Sequence, residues 1–388
     1  KPEVETQAEA APAPAQNVNG DLKISMLNVG QGDAILIQTK NQTILIDTSD
    51  TDERDLLIGE LEKFSVTKID KLILSHPHAD HIGSAKALIN ASKKEISANP
   101  YLEKISVAEV YDNGIASTSP LYKNYMKAVN AKGIAHKSLK AGDTLDFGGG
   151  VKFNVLYPTT QLVDAVNGGQ KSDPNNESIV GKLTYKKFSM MFTGDAEKEA
   201  EAAVLSNNKA KDLKCDVLKS GHHGSYTAST KNFLAAVNPS VVLISCGPDE
   251  DRRNTYGHPH LEPLKNYLEQ GIDKKNILCT RWNGTITVTS DGKNFSVKAE
   301  DNEDWVDKWM TKKKKDKSKE HRNVQHNFYK VYQIDDEGRY GVEDFVMSQW
   351  HDDYDKYDTY YKKDKHVRIW LETYSTDREY VDKAELKE

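Results

Sequence analysis

From residue 21 to residue 300, short apolar runs of strand length alternate with longer segments in which apolar residues recur at helical spacing. The first strand-like runs are KISMLNV, AILIQT and TILIDTS, which the turn sequences GQGD and KNQ separate. The segment ERDLLIGELEKF then predicts a helix, and KLILS predicts a strand that stops at His76. Later runs continue this alternation up to the hairpin TITVTSDGKNFSVKA, whose Asp291-Gly292 supplies the turn. The pattern predicts an α/β domain in which helices cover β-sheets.

The pattern changes on both sides of this domain. Residues 1–20 are rich in Ala, Pro and Glu and contain no aromatic residue, so they predict a flexible N-terminal spacer. Residues 301–320 predict a charged linker, since they include the run KKKKDKSK. Residues 321–388 are crowded with Tyr, Trp and charge and predict a small C-terminal α+β domain of unknown role, with a hairpin in NFYKVYQIDDEGRYGVEDFVM. Its aromatic residues either form its core or stack on sugars or bases of a polymer or partner.

Composition excludes several classes of protein. The chain has 388 residues and a formal net charge of −6, which argues against a protein that coats polyanions without specificity. No run approaches the length of a membrane-spanning helix, so the sequence predicts no membrane span. Cys215, Cys246 and Cys279 are widely spaced and form no CxxC pair, which argues against a disulfide framework and against a structural zinc knuckle.

The first residue is Lys1 rather than Met, which indicates a processed or trimmed N-terminus. A removed secretion signal followed by a Pro-rich tether predicts an extracellular or cell-surface protein. A chain boundary chosen for expression would leave a cytoplasmic location open, so both interpretations stand at this point.

The strongest chemical signal lies in the segment from Leu74 to Gly83. It places His76, His78, Asp80 and His81 in one short loop directly after an apolar strand. Neutral imidazole and carboxylate are natural ligands of zinc-like ions. In a tight loop the first two histidines can point one way and the Asp80–His81 pair another. One segment can therefore supply ligands to two adjacent metal ions.

This loop has the pattern HxHxDH and resembles the metallo-β-lactamase superfamily of binuclear hydrolases. Two further segments match that family, because FTGD ends a strand at Asp195 and CDVLKSG leads into His222-His223. Six segments in the same order (MLNVGQGDAILI, LIDTS, NNESIV, FTGDAE, LKSGHHGS and YGHPH) are similar to the hydrolase domain of ComEC-type competence DNA-uptake proteins. The chain departs from that group at Asn28, where Asp is common, and it lacks their membrane channel. Secreted choline-phosphate esterases look similar too.

The resemblance implies a four-layer αββα metallo-β-lactamase sandwich over residues 21–300 and two divalent metal ions, with zinc favoured and manganese as the alternative. It implies a metal-bridging hydroxide as the nucleophile. The implied ligands are His76 and His78 for one ion, Asp80, His81 and His222 for the other, and Asp195 as the bridge.

One ligand of the family pattern is missing. Most members supply a third histidine to the first ion, and His136 is the only histidine between His81 and Asp195. We interpret His136 as a surface residue, so the first ion is bound more weakly or is completed by His258, water or substrate.

The remaining candidates surround the ligands. We expect catalytic roles for Asp80, for His223, which would contact phosphate or support a ligand, and for His258, which would protonate a leaving alkoxide. Asn176, Ser178 and Ser225 are the predicted substrate-binding residues, although the first two fit a strand-entry turn equally well. Lys219 has two interpretations: it contacts phosphate, or it is a solvated charge. Asp33 and Asp47 are expected to orient the metal loop.

The acidic residue Asp195 bears on the substrate. Superfamily members that open β-lactam rings often have Cys there, so the resemblance favours a phosphodiesterase or nuclease acting on DNA or a cell-surface polymer. The first alternative is a cell-surface esterase acting on choline-phosphate or other small ester or lactone groups. The second is a non-catalytic, metal-stabilised surface-binding module, although structural zinc sites are commonly closed and Cys-rich.

Overall fold

The computed structural model describes residues 18–248, 254 and 256–314, together with the backbone of 357–363 and 366–371. The chain divides into two compact units, Lys1–Val306 and Asp307–Glu388. The division falls inside the segment 301–320 that the sequence assigns to a linker, and residues 306–314 are helical. The assignment of domains stays a prediction.

The strands of the first unit are numbered in chain order: β1 Leu22–Met26, β2 Ile35–Gln38, β3 Thr43–Ile46, β4 Lys68–Ile73, β5 Ser106–Asp112, β6 Ala135–Ser138, β7 Thr144–Asp146, β8 Val151–Tyr157, β9 Val180–Tyr185, β10 Phe188–Phe192, β11 Val217–Lys219, β12 Val241–Ile244, β13 Ile277–Cys279, β14 Ile286–Ser290 and β15 Phe295–Ala299. They form an eight-stranded sheet in the order β15-β14-β1-β2-β3-β4-β5-β6 and a seven-stranded sheet in the order β13-β12-β11-β10-β9-β8-β7. Both sheets are mixed, because β3–β6 and β10–β13 run parallel while the other neighbours are antiparallel.

The α-helices of this unit follow the same numbering: α1 Arg54–Lys63, α2 Ala79–Ile82, α3 Ala85–Asn90, α4 Lys93–Ala98, α5 Pro120–Lys132, α6 Thr160–Asn167, α7 Lys198–Asn207, α8 Ala210–Leu213, α9 Lys231–Val237, α10 Leu261–Glu269 and α11 Thr280–Asn283. Short 3₁₀ turns occupy Pro100–Lys104, Pro174–Glu177, Gly221–Gly224 and Lys274–Asn276. Helix α10 ends shortly before Gly271, which has a positive φ of 88°.

Two hydrophobic clusters explain the layering. The first fills the space between the sheets, with Ile24 and Ile37 from one sheet and Phe153 and Met190 from the other. The second lies between the eight-stranded sheet and helices α1, α3 and α5, and includes Leu72 and Leu57. Strands alternate their side chains between two faces, so strands β2 to β5 of this sheet contribute to both clusters. Buried residues of α7, α9 and α10 form the helical layer of the other sheet. The predicted αββα sandwich is confirmed.

Most of the predicted elements are present, with differences where segments are short. The helices α2, α3, α4, α6, α8 and α11 and the strand β7 were not predicted. Apart from α6, which has eight residues, these helices have six residues or fewer, too few to show a helical period in the sequence. In the second unit, strands β16 (Tyr357–Lys363) and β17 (His366–Leu371) pair antiparallel. The hairpin predicted in NFYKVYQIDDEGRYGVEDFVM lies outside the described residues.

Within the part of the chain that the structure describes, no helix combines the length and apolar character needed to cross a bilayer. The extracellular or cell-surface location stays a prediction.

Candidate metal centre

The HxHxDH loop is held at the carboxyl end of β4. His78 precedes the first turn of α2, and its carbonyl oxygen accepts hydrogen bonds from the amides of His81 (3.1 Å) and Ile82 (3.0 Å). The amide of Thr48, just after β3, donates to His81 O at 2.6 Å. Because β3 and β4 are parallel neighbours, their carboxyl ends meet at one sheet edge, and the loop is fixed from both sides.

Asp195 approaches the same place from the second sheet. It follows β10 through Gly194, whose φ of 51° lies in the left-handed region. A Cβ on Gly194 would come within 3.0 Å of Ser178 and 3.1 Å of Ser75, so only glycine fits this turn without displacing its neighbours. The amide of Asp195 donates to Ser178 Oγ at 3.0 Å. The backbone conformation of this turn therefore sets the direction of the Asp195 side chain.

His222 and His223 follow β11 and both have positive φ values, 46° and 53°. Two consecutive non-glycine residues in this region store backbone strain, which proteins tolerate mainly where function requires it. The amide of His222 donates to Gly194 O at 3.2 Å, so this turn and the Asp195 turn are joined. The arrangement sends both imidazole rings toward Asp195.

Four side chains converge into one group: Asp80, His81, Asp195 and His223 each offer a ligand atom, and these atoms lie within 4.8 Å of one another. Asp195 Oδ2 lies 3.1 Å from His81 Nε2 and 3.3 Å from His223 Nε2. His223 Nε2 also lies 3.1 Å from Asp80 Oδ2. Two imidazoles and two carboxylates in this geometry match the ligand chemistry of zinc-like ions.

The other predicted ligands border this group. Asp195 Oδ2 lies 4.0 Å from His76 Nε2 and 3.8 Å from His222 Nε2. The rings of His76 and His78 meet edge to face, with centroids 4.7 Å apart. The structure therefore brings together all the predicted metal ligands and adds His223, which the sequence assigned to support or phosphate contact. The choice of His222 as a ligand stays a prediction.

Three buried atoms of this cluster are left without hydrogen-bond partners among the described residues: His76 Nε2, His81 Nε2 and Asp195 Oδ1. A buried polar atom of this kind costs free energy unless something else satisfies it. The same three residues were predicted as metal ligands, and divalent cations would satisfy their atoms. The residues present therefore fit a metal centre.

In most of these rings the Nδ1 atom, which faces away from the cluster, has a hydrogen-bond partner. His81 Nδ1 lies 2.8 Å from Asp47 Oδ2, and His223 Nδ1 donates to the carbonyl oxygen of Ser245 at 2.9 Å. His222 Nδ1 lies 3.0 Å from Glu197 Oε1. Outer partners of this type hold the proton on Nδ1 and turn the Nε2 lone pair toward the metal. The protein thus prepares several Nε2 atoms as ligands.

The carboxylates of the cluster require nearby positive charge. Burial by itself would lower the pKa of His81 and of His223. The negative charge of Asp195, together with that of Asp80, has a larger effect than burial. It raises the pKa of His81 well above its usual range and the pKa of His223 to about 10. Burial disfavours ionised Asp195, yet the surrounding histidines hold its pKa well below the usual value. The site is built to hold cations.

His258 joins the cluster from the loop before α10. Its buried ring stacks on His223, with centroids 5.9 Å apart and planes at 26°. Burial and the neighbouring charges of His260 and His223 hold the pKa of His258 well below its usual range. Gln31 Nε2 lies 3.5 Å from His258 Nδ1. These surroundings favour a neutral imidazole.

The predicted substrate-binding residues all bond to the protein itself. Asn176 Oδ1 accepts from the amides of Glu197 and Ala200, both at 3.2 Å, at the start of α7. Ser178 is buried and holds the Asp195 amide, and Ser225 Oγ accepts from the Thr227 hydroxyl at 2.9 Å. Their role in substrate binding stays a prediction, and each has a structural role that the sequence did not reveal.

The structure decides between the interpretations of two further residues, Lys219 and His136. Lys219 is 1 % exposed, so both interpretations, a phosphate contact and a solvated charge, are wrong. It is enclosed because β11 is an interior strand of its sheet. His136 lies in the edge strand β6 and bonds Asp112 Oδ2 at 2.7 Å, outside the group that converges on Asp195.

Sequence reasoning missed some supporting residues. Glu197 follows Asp195 by two positions, and Ser75 directly precedes His76, so nearness to a predicted ligand was a usable signal. Ser75 Oγ donates to Asp47 Oδ2 at 2.7 Å and lies 3.1 Å from His76 Nδ1. Ser245 carries no such signal, because only its backbone carbonyl is used.

Comparison with known proteins agrees with this geometry. Residues 27–247 match the family model described as metallo-beta-lactamase superfamily. ComE operon protein 3 of Bacillus subtilis (strain 168) is 30 % identical over 282 residues, which cover 68 % of this chain and 32 % of that protein. Recombination protein 2 of Haemophilus influenzae is 30 % identical over 254 residues, covering 63 % and 26 % respectively. The match therefore spans about a third or less of these relatives.

Among solved structures, a diphosphatase from the PhnP family superposes with a TM-score of 0.35 and 15 % identity, covering 57 % of this chain and 85 % of that one. MEM-A1, a subclass B3 metallo-beta-lactamase from a soil metagenome library, gives a TM-score of 0.32 and 15 % identity, with coverages of 54 % and 80 %.

Proposed function

Because the chain belongs to the metallo-β-lactamase superfamily, we propose that it is a metal-dependent hydrolase that cleaves phosphodiester bonds, as a phosphodiesterase or a nuclease. The observation that carries the proposal is the convergence of Asp80, His81, Asp195 and His223 into one group, in which all but the half-buried Asp80 are buried. Asp195 supports phosphodiester over β-lactam substrates, because β-lactam-opening members often have Cys there. One of the relatives is named for recombination, which makes DNA the first substrate to test, with a cell-surface polymer as the alternative.

Two sets of side chains would hold two divalent ions, zinc or manganese: Asp80, His81 and His223 for one, His76 and His78 for the other, and Asp195 facing both. When bound, such ions supply Lewis acidity and make water more acidic at neutral pH. His222 borders both sets, with its Nε2 atom 3.8 Å from Asp195 Oδ2.

The protein's own residues contribute orientation. Asp47 and Glu197 hold protons on the Nδ1 atoms of His81 and His222, so that the Nε2 lone pairs face the site. Ser178 fixes the Asp195 backbone. A preorganised set of ligands needs no rearrangement during reaction, which is the main way an enzyme site lowers an electrostatic barrier.

His258 contributes a hydrogen-bond donor in this proposal. Burial lowers the pKa of His258, which favours the neutral ring, and Gln31 Nε2 lies 3.5 Å from Nδ1, where a bond donated by Gln31 would leave the ring proton on Nε2. A neutral imidazole would donate a hydrogen bond to a phosphoryl or leaving-group oxygen, whereas full transfer of a proton requires the charged ring.

The test is a substrate panel run with added zinc or manganese: a bis-aryl phosphate, single- and double-stranded DNA, an aryl phosphorylcholine, a lactone and a chromogenic β-lactam. We expect turnover of the phosphodiesters, abolished by Asp80→Ala with the circular dichroism spectrum unchanged. His136→Ala is the matched control, because its ring lies outside the cluster, and it should keep activity.

Three outcomes would overturn the proposal. Undiminished phosphodiester cleavage by Asp80→Ala would place the chemistry elsewhere. Turnover of the phosphorylcholine or the lactone alone would identify the small-ester hydrolase instead. Metal binding without turnover of any substrate would favour the non-catalytic surface-binding module.

A further inference from the structure

Lys219 is a cation enclosed in the interior of the domain. It is the last residue of β11 and its side chain is 1 % exposed. Its Nζ atom donates to Gly194 O at 2.8 Å and to Ser220 O at 2.9 Å, and lies 2.7 Å from Asp33 Oδ2. Two of the three donors of the ammonium thus go to backbone carbonyl oxygens, and its charge is paired with that of Asp33. Lysine is almost never fully buried unless it is paired.

The three partners of the ammonium connect it to three different segments that carry predicted metal ligands. Gly194 directly precedes Asp195, and Ser220 directly precedes the turn that presents His222 and His223. Asp33 reaches the third segment through its backbone, because its amide donates to Asp80 O at 3.0 Å. One ammonium group is therefore linked to three segments that lie far apart in the sequence: it bonds two of them directly and reaches the Asp80 segment through Asp33.

The Asp80 side of this connection depends on Gly32. A Cβ on Gly32 would lie 2.5 Å from Asp80 O, and its φ of 140° is unfavourable for other residues. The close approach allows Asp33 to bond the metal loop with its amide while its carboxylate pairs with Lys219. The contact is thus built into the backbone of the GQGD turn.

A second group of buried acidic residues, next to the metal centre, explains why a cation is needed at the position of Lys219. Asp33, Asp47 and His81 form a second group of potential metal ligands, all buried. The Lys219 ammonium lies at hydrogen-bond distance from Asp33 and supplies positive charge to this second group. A divalent ion at that place would have to displace the ammonium.

We propose that Lys219 is a positioning residue of the metal centre, an internal cation that holds the three ligand-bearing segments together and offsets the negative charge of the second acidic group. The inference rests on the metal-binding part of the proposed function and is independent of the substrate. It gives Lys219 no contact with substrate or with the reacting atoms. Loss of its bonds would free the Gly194 peptide, and with it the direction of Asp195.

The test measures Co²⁺ binding by the whole chain, using visible absorption, which reports the ligand geometry. Lys219→Met leaves Asp33 as a buried, unpaired carboxylate, so this variant can fail to fold. The double variant Asp33→Asn/Lys219→Met removes both charges, and its Co²⁺ binding decides the test. Lys182→Met is the matched control, because Lys182 Nζ also donates to a backbone carbonyl, that of Asp212 at 2.9 Å, away from the cluster.

We expect the double variant to bind Co²⁺ at least tenfold more weakly and with an altered spectrum, while the control matches the wild type. A purely structural role for Lys219 would lower the thermal midpoint and leave affinity and spectrum unchanged, which would overturn the inference. Failure of the wild type to bind Co²⁺ would contradict the proposed function instead, so the two failures are distinguishable.

Discussion

Asp47 Oδ2 and His81 Nδ1 share a hydrogen bond of 2.8 Å, and both side chains are buried. Asp47 also accepts from the amide and the hydroxyl of Ser75, both at 2.7 Å. One carboxylate at the end of β3 thereby controls the tautomer of His81 and the start of the HxHxDH loop. A residue that contacts no substrate thus determines how a ligand is presented.

We expect Asp47→Asn to lower metal affinity about 10- to 100-fold, the usual effect of removing such an outer partner. The physical reason is that the amide group of Asn can donate to His81 Nδ1 and so reverse the tautomer. Competition with a chelating dye measures the affinity. Asp50→Asn is the control, since Asp50 Oδ1 bonds only the nearby Asp52 amide in the same loop. Equal affinities in the two variants would contradict the role given to Asp47.

A second prediction separates the two adjacent histidines. His223→Ala should lose a metal ion, because His223 Nε2 lies within 3.3 Å of two carboxylates. His222→Ala should weaken binding less, because its Nε2 atom lies 3.8 Å from Asp195. Elemental analysis after dialysis gives the metal content of each variant. A larger loss in His222→Ala would support the ligand choice made from the sequence.

Metal binding should also stabilise the fold. A ligand that binds only the folded state at a concentration about 100-fold above its Kd adds about 2.7 kcal/mol to the free energy of unfolding. We therefore expect zinc to raise the thermal midpoint of the wild type and a chelator to reverse the change. Asp80→Asn should reduce the response, because it removes one carboxylate of the group. A midpoint that does not respond to zinc would count against the metal centre.

The fourth prediction concerns pH and the His136–Asp112 pair. The hydrogen bond to Asp112 raises the pKa of His136 above its usual value, against the smaller effect of burial. The stabilisation is complete below the unfolded pKa of about 6.5 and disappears as the pH rises through the folded value. His136→Gln should therefore cost about 0.5–1 kcal/mol near pH 6 and almost nothing near pH 9.

Urea unfolding of both proteins at the two pH values measures this difference. A constant cost across the range would mean that packing rather than charge explains the contribution of His136. Unchanged metal content in His136→Gln would agree with its position outside the cluster.

The candidate ligands were readable from the sequence because most of them lie in one loop. His76, His78, Asp80 and His81 follow an apolar strand within a few residues, so their proximity does not depend on the rest of the fold. Asp195 ended a predicted strand and could be placed by resemblance. The sequence favoured His222 over His223 by resemblance alone, whereas the direction of the two rings depends on two positive φ values in a single turn.

The amino-acid pattern by itself determined the alternation of strands and helices and the chemistry of the HxHxDH loop, because both are local properties of short segments. Only the tertiary structure decided that Lys219 is buried against Asp33, which lies 186 positions earlier in the chain. It also decided that Asp47 anchors His81 and that Asn176 caps α7. The physical reason is that burial and hydrogen-bond partners depend on which strands become neighbours, and this is settled only when the two sheets pack together.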